Sequence, residues 1–157
     1  MTAKPTLVWL RRDLRLYDHA ALSAALERHG DVQPVFIFDT DILASFPQAA
    51  DRRLSFIAAT LCDMDEKLRA KGGRLLVLHG SARELIPQLA IRLGAQAVVA
   101  AEDYEPQARV RDSAVAQALA GVCDVSFVKD QMIFSPWEIT KEKDDPYKVY
   151  TPYARLW

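Results

Sequence analysis

Five short stretches of this sequence gather side chains able to hold a polar ligand. They are Arg11-Arg12-Asp13-Leu14-Arg15, Asp39-Thr40-Asp41-Ile42-Leu43, His79-Gly80-Ser81, Glu102-Asp103-Tyr104-Glu105-Pro106 and Lys129-Asp130. The arginines of the first stretch present planar forks suited to an anion or a carboxylate. They are equally suited to pairing with Asp13, Asp18 and Asp39 and so fastening the loops together. Glu102, Asp103 and Glu105 could accept hydrogen bonds from the amino and ring N–H groups of a heterocycle. Glu105 also stands just before Pro106, where the dipole of a starting helix favours an acid on structural grounds alone. In each case both readings stand open.

Catalytic machinery is absent from the pattern. There is no Ser/His/Asp arrangement, GxSxG, HExxH, Walker loop or GxGxxG fingerprint. His79 is a lone histidine at a strand end, and His19 and His29 lie on or beside a helix with no partner pattern. Cys62 and Cys123 show no zinc spacing and read as small apolar side chains. No catalytic residue and no metal ligand is expected.

The five stretches matter because of the elements that carry them. Apolar runs at Leu7–Leu10, Val35–Phe38, Leu75–Leu78, Ala97–Ala100 and Val125–Val128 do not alternate with polar residues, as expected of strands covered on both faces. Between them lie helical spacings, clearest from about Leu54 to Lys71, where Leu54, Ile57, Leu61, Met64 and Leu68 form one stripe. Gly30, Gly72, Gly94 and Gly121 each close a helical stretch. Ser81 and Glu84 have capping-box spacing. Pro87 lies too deep for a first turn, so a short turn and then a helix from near Pro87 is predicted. Strand and helix alternating in this way imply a Rossmann-like, open, doubly wound parallel sheet of five strands with helices on both faces. In such a sheet ligands bind outside the carboxyl ends of the strands, where the five stretches fall.

The chain has 157 residues, a formal charge of -1 and a 50% hydrophobic composition, so it can bury a core and carries no overall basic excess. It shows no signal sequence and no run of membrane-spanning length, and a cytoplasmic location is expected. Periodicity fades beyond Lys129. Residues 1–130 read as the α/β domain, and 131–157 as a peripheral extension leading into a linker. The aromatic tail, with Tyr147, Tyr150, Tyr153 and Trp157, is expected to form exposed apolar surface or to pack on a neighbouring copy. It suggests a piece of a longer protein.

Four motifs in order carry a resemblance. Val8-Trp9-Leu10-Arg11-Arg12-Asp13-Leu14-Arg15-Leu16-Tyr17-Asp18-His19-Ala20-Ala21-Leu22 resembles the N-terminal signature of the DNA photolyase/cryptochrome family. Pro34 to Asp39, Asp103-Tyr104-Glu105-Pro106 with Arg111-Asp112, and Tyr147 to Tyr153 with Trp157 resemble later segments of that family. The resemblance implies an N-terminal α/β domain that seats a light-harvesting antenna: methenyltetrahydrofolate, a deazaflavin or a flavin. It further implies a C-terminal helical domain, absent from this chain, that binds FAD and damaged DNA and splits pyrimidine dimers in blue light. The full-length protein is expected to be monomeric. The residue matching Glu105 contacts the pterin in folate-binding relatives. Arg11, Asp39, Arg52 and Asp103 carry over by loop position. The loop from Ile42 to Asp51 lacks the histidine that folate-binding relatives can place there. A cryptochrome photoreceptor domain and a stand-alone nucleotide-binding module are the alternatives.

Overall fold

The structure is a computed structural model describing residues 4–46, 51–135, 137–141, 145 and 147–156. Strand β1 (Thr6–Leu10) leads to α1 (Ala20–His29), β2 (Val32–Asp39), the short α2 (Thr40–Leu43) and α3 (Arg52–Arg69). Then follow β3 (Leu76–Gly80), α4 (Ala82–Leu93), β4 (Ala97–Ala101), α5 (Pro106–Ala118), β5 (Asp124–Val128) and α6 (Tyr150–Ala154). The five strands form one sheet in the order β3-β2-β1-β4-β5, and every pairing is parallel.

Strand side chains alternate between two separate cores. Leu7 and Trp9 of β1 join Val35, Ile86, Val98 and Val115 on one face. Val8 and Leu10 join Ala21, Phe36, Leu61, Met64 and Val99 on the other. Every residue of β1 and β4 is buried, which explains their unbroken apolar runs. The expectation of cover on both faces fails at the edges. In β3, Val77 and His79 are exposed while Leu76 and Leu78 are partly buried, because an edge strand has a helix over one side only.

The stripe on α3 packs as its spacing predicts: Leu61 and Met64 are buried, and Ile57 and Leu68 lie against them. Helix α4 departs from its prediction. It runs unbroken from Ala82 through Pro87. The proline forfeits one hydrogen bond, to the carbonyl of the exposed Arg83. Burial of Ile86, Pro87 and Ala90 offsets that loss. The predicted capping box is also not made, since Ser81 caps without a side-chain hydrogen bond. Instead Asp39 Oδ1, from the end of β2, lies 3.3 Å from the Ala82 N–H and 3.2 Å from the Asp41 N–H. One buried carboxylate thus serves the starts of α2 and α4.

In the segment beyond β5, Ser135 is buried and the Trp137 ring packs against Tyr104, tilted at 57° with 5.6 Å between ring centroids. Lys129 Nζ donates to Glu138 at 2.5 Å, which closes this segment onto the domain. Of the aromatic tail, Tyr150 is exposed, whereas Tyr147 and Tyr153 are half-buried with rings 6.4 Å apart. Trp157 lies outside the described residues.

Candidate functional site

The strand order changes direction between β1 and β4, and a crevice opens at the carboxyl ends of the central strands. It has a volume of about 890 Å³ and is lined by residues following β1, β2 and β4 and by α2, α3 and α5. Trp9 forms part of its floor. Ile42, Leu43, Phe46, Leu54 and Ile57 form an apolar wall. The Arg53 guanidinium stacks 4.2 Å from the Phe46 ring and pairs with Asp51 at 2.6 Å. That hydrogen bond, with the Arg53 backbone N–H, holds the Asp51 carboxyl down to about 2.

The arginines after β1 divide their tasks. Arg11 donates to both oxygens of Asp112, at 2.7 and 2.6 Å, and to the carbonyl of Ala101. Arg12 approaches Asp103 at 3.4 Å and Glu105 at 2.8 Å. The Glu105 hydrogen bond raises the Arg12 pKa against the effect of partial burial. Arg15 donates to Asp130 at 2.7 Å and to the Asp18 carbonyl. The loop-fastening reading therefore holds, but with other partners. No guanidinium of this stretch pairs with the Asp13, Asp18 or Asp39 carboxylate among the described residues, although the Arg11 backbone N–H donates to Asp13 Oδ1 at 2.7 Å. Asp13 faces His19 instead, with Nε2 3.0 Å from Oδ2 in an angled contact that falls short of a regular hydrogen bond. His19, for which the sequence shows no partner pattern, also caps α1 by accepting the Leu22 N–H at Nδ1, 3.1 Å away.

Four of the five candidate residues, Arg11, Asp39, Asp103 and Glu105, line the crevice together. Arg52, the first residue of α3, is exposed and is not part of the lining. Asp39 is 5% exposed, and its Oδ2 has no hydrogen-bond partner among the described residues. His79 lies within β3, exposed and away from the lining. Two residues were missed as site members, Arg111 and Asp112. Their signal lies in α5, where Ala108, Arg111, Asp112 and Val115 are buried at helical spacing. Charges on the buried stripe of a helix need a buried partner. Among the described residues no cluster of His, Cys, Asp or Glu could hold a metal ion, and no helix is long and apolar enough to cross a membrane.

Fold and crevice together define a doubly wound α/β domain with an open crevice at the carboxyl ends of its strands. The sequence model of the DNA photolyase family matches residues 6–157, and the chain belongs to that family. It is 40% identical over 157 residues to the deoxyribodipyrimidine photo-lyase of Synechococcus sp. (strain ATCC 27144 / PCC 6301), covering 99% of this chain and 32% of the relative. Its fold is similar to that of a bacterial class III photolyase from Agrobacterium tumefaciens, with TM-score 0.83 and 32% identity over 99% of this chain and 32% of that one. It is also similar to an archaeal photolyase from Sulfolobus tokodaii with two FAD molecules, described as implicating a novel light-harvesting cofactor. There the TM-score is 0.84 and identity 26%, over 97% of this chain and 34% of that one. The chain thus spans about a third of the length of the relatives it matches.

Proposed function

We propose that this chain is the antenna-chromophore domain of a deoxyribodipyrimidine photolyase, residues 1–130 forming the domain and 131–157 leading toward a C-terminal helical domain. The observation that carries the reading is Asp39, a buried residue in the lining of an apolar-walled crevice, whose Oδ2 has no hydrogen-bond partner among the described residues. A buried carboxylate oxygen without a donor is costly unless a ligand supplies one. The crevice volume suits a pterin, deazaflavin or flavin ring system. Asp39, Asp103 and Glu105 would accept its N–H or O–H groups, while Arg11 keeps the crevice open by holding Asp112.

Light harvesting also accounts for a site without a nucleophile or base. Excitation transfer needs a chromophore held in position and orientation, which a rigid crevice with a few polar anchors supplies. The proposed whole-protein reaction is the blue-light splitting of cyclobutane pyrimidine dimers with FAD. No residue of this chain is proposed to bind FAD or carry its electrons. The test is repair by the full-length protein, with flavin reduced, of DNA holding a thymine dimer. Restored thymines under blue light and none in the dark are expected. A protein that leaves the dimer intact in both would overturn the lyase assignment.

A further inference from the structure

Arg111 is the cleft's least explained charge. It lies one turn and a half into α5, over nine-tenths buried, and lines the crevice. Its Nε and Nη2 donate to Asp112 Oδ1 at 3.0 and 2.9 Å, and its guanidinium sits 4.9 Å from the centroid of Trp9. Its remaining nitrogen, Nη1, has no hydrogen-bond partner among the described residues. Arg11 is stacked on the same indole at the same distance and holds the same carboxylate. Two guanidiniums therefore share one buried carboxylate. The other crevice carboxylates do not pair with Arg111: Asp39 serves two helix starts, Asp41 lies 3.8 Å from Arg83, and Arg12 bridges Asp103 and Glu105.

Such a group is rigid as well as unsatisfied. Asp112 and Trp9 hold the plane of Arg111, so little side-chain entropy remains to be lost on binding. We propose that Arg111 is a ligand-contacting residue of the crevice, its free Nη1 donating to a carbonyl or anionic oxygen of the chromophore. With Asp39 accepting, the site then selects a ligand carrying both an acceptor and an N–H or O–H donor. This rests on the antenna reading of the same crevice.

The test is titration of the pigment-free, full-length protein with three probes: FMN, 8-hydroxy-5-deazaflavin and 5,10-methenyltetrahydrofolate, followed by quenching of tryptophan fluorescence. Wild type is compared with Arg111→Met and Arg111→Lys, each checked for an unchanged thermal melt. The expected result is binding of at least one probe by wild type, weakened about tenfold to a hundredfold by Arg111→Met, the range of a charge-assisted hydrogen bond. If the Met variant does not fold, a loss of about fivefold or more in the Lys variant supports the assignment, since a lysine cannot hold Asp112 and reach the ligand together. Binding by wild type that both variants match within twofold overturns the role of Arg111 and leaves the crevice reading standing. A wild type that binds none of the probes overturns the crevice reading and this proposal with it.

Discussion

Arg11 and Asp112 lie 101 positions apart in the chain and meet at 2.6 Å, each side chain less than a tenth exposed. The pair ties the loop after β1 to the middle of α5 and so closes the back of the crevice. Removing one partner of a buried pair leaves an uncompensated charge. Asp112→Ala strands two guanidiniums and is expected to cost about 3–5 kcal/mol. Urea unfolding measures it. Replacing Arg11 and Asp112 together by Met and Leu should recover part of that loss, and a double variant no better than the single one would contradict the account.

Asp39 has separable duties. One oxygen receives the Asp41 and Ala82 N–H groups, and the other is buried with no hydrogen-bond partner among the described residues. Asp39→Ala loses both caps and is expected to destabilise by about 1 kcal/mol. Asp39→Asn keeps an oxygen for the caps and loses only the charge and one acceptor. Both variants of the full-length protein should lose antenna pigment, but only the alanine should melt earlier. Pigment retained in the asparagine variant would argue that Oδ2 does not face the ligand.

Acid sensitivity follows from Asp13. Burial pushes its pKa up, but the contacts from His19 and the Arg11 N–H prevail and hold it below the ordinary 3.8. A carboxyl with a depressed folded pKa contributes its stability in full above the unfolded value. It loses that contribution as pH falls through the lower folded value. The stability gap between wild type and Asp13→Asn is therefore expected to shrink as pH falls below about 4. Urea midpoints across that range measure it, and a gap that stays constant down to pH 2 would exclude Asp13. Any acid loss remaining in the variant is expected to involve Asp51, Asp65 and Glu138, which are also held below their ordinary values.

The turn from β3 into α4 depends on glycine. Gly80 has φ 148°, and a Cβ there would stand 2.9 Å from Leu85 Cδ1. Gly80→Ala is expected to cost about 1–3 kcal/mol through backbone strain and this approach. Adding Leu85→Ala removes the clash and leaves the strain, so the Gly80→Ala penalty should shrink but not vanish in that background. Thermal melts of the four proteins make the comparison.

The sheet was legible in the sequence because β1 and β4 are buried throughout, which leaves unbroken apolar runs. Helix α3 was legible because its stripe faces one layer. Reading failed where the deciding contact is distant. Nothing near Arg11 announces a carboxylate 101 residues away, so the arginines were matched to nearby aspartates. The capping of α4 by Asp39 displaced a local Ser81–Glu84 signal for the same reason. Pro87 was misread because propensity is local, whereas the burial that keeps α4 continuous is tertiary. Asp39, Asp103 and Glu105 lie in strand-end loops that the sequence marks, while Glu102 of the same stretch is not in the lining; Arg111 was not marked, because its place in the crevice depends on which face of α5 turns inward.

The most direct test of the central claim is the pigment content of the full-length protein, purified in the dark from its native host, with extracted chromophores identified by mass and absorption. The account predicts a folate, deazaflavin or second flavin bound in addition to the FAD of the proposed helical domain, lost on substitution of Asp39. One FAD per chain and no other pigment would contradict an antenna role for the crevice.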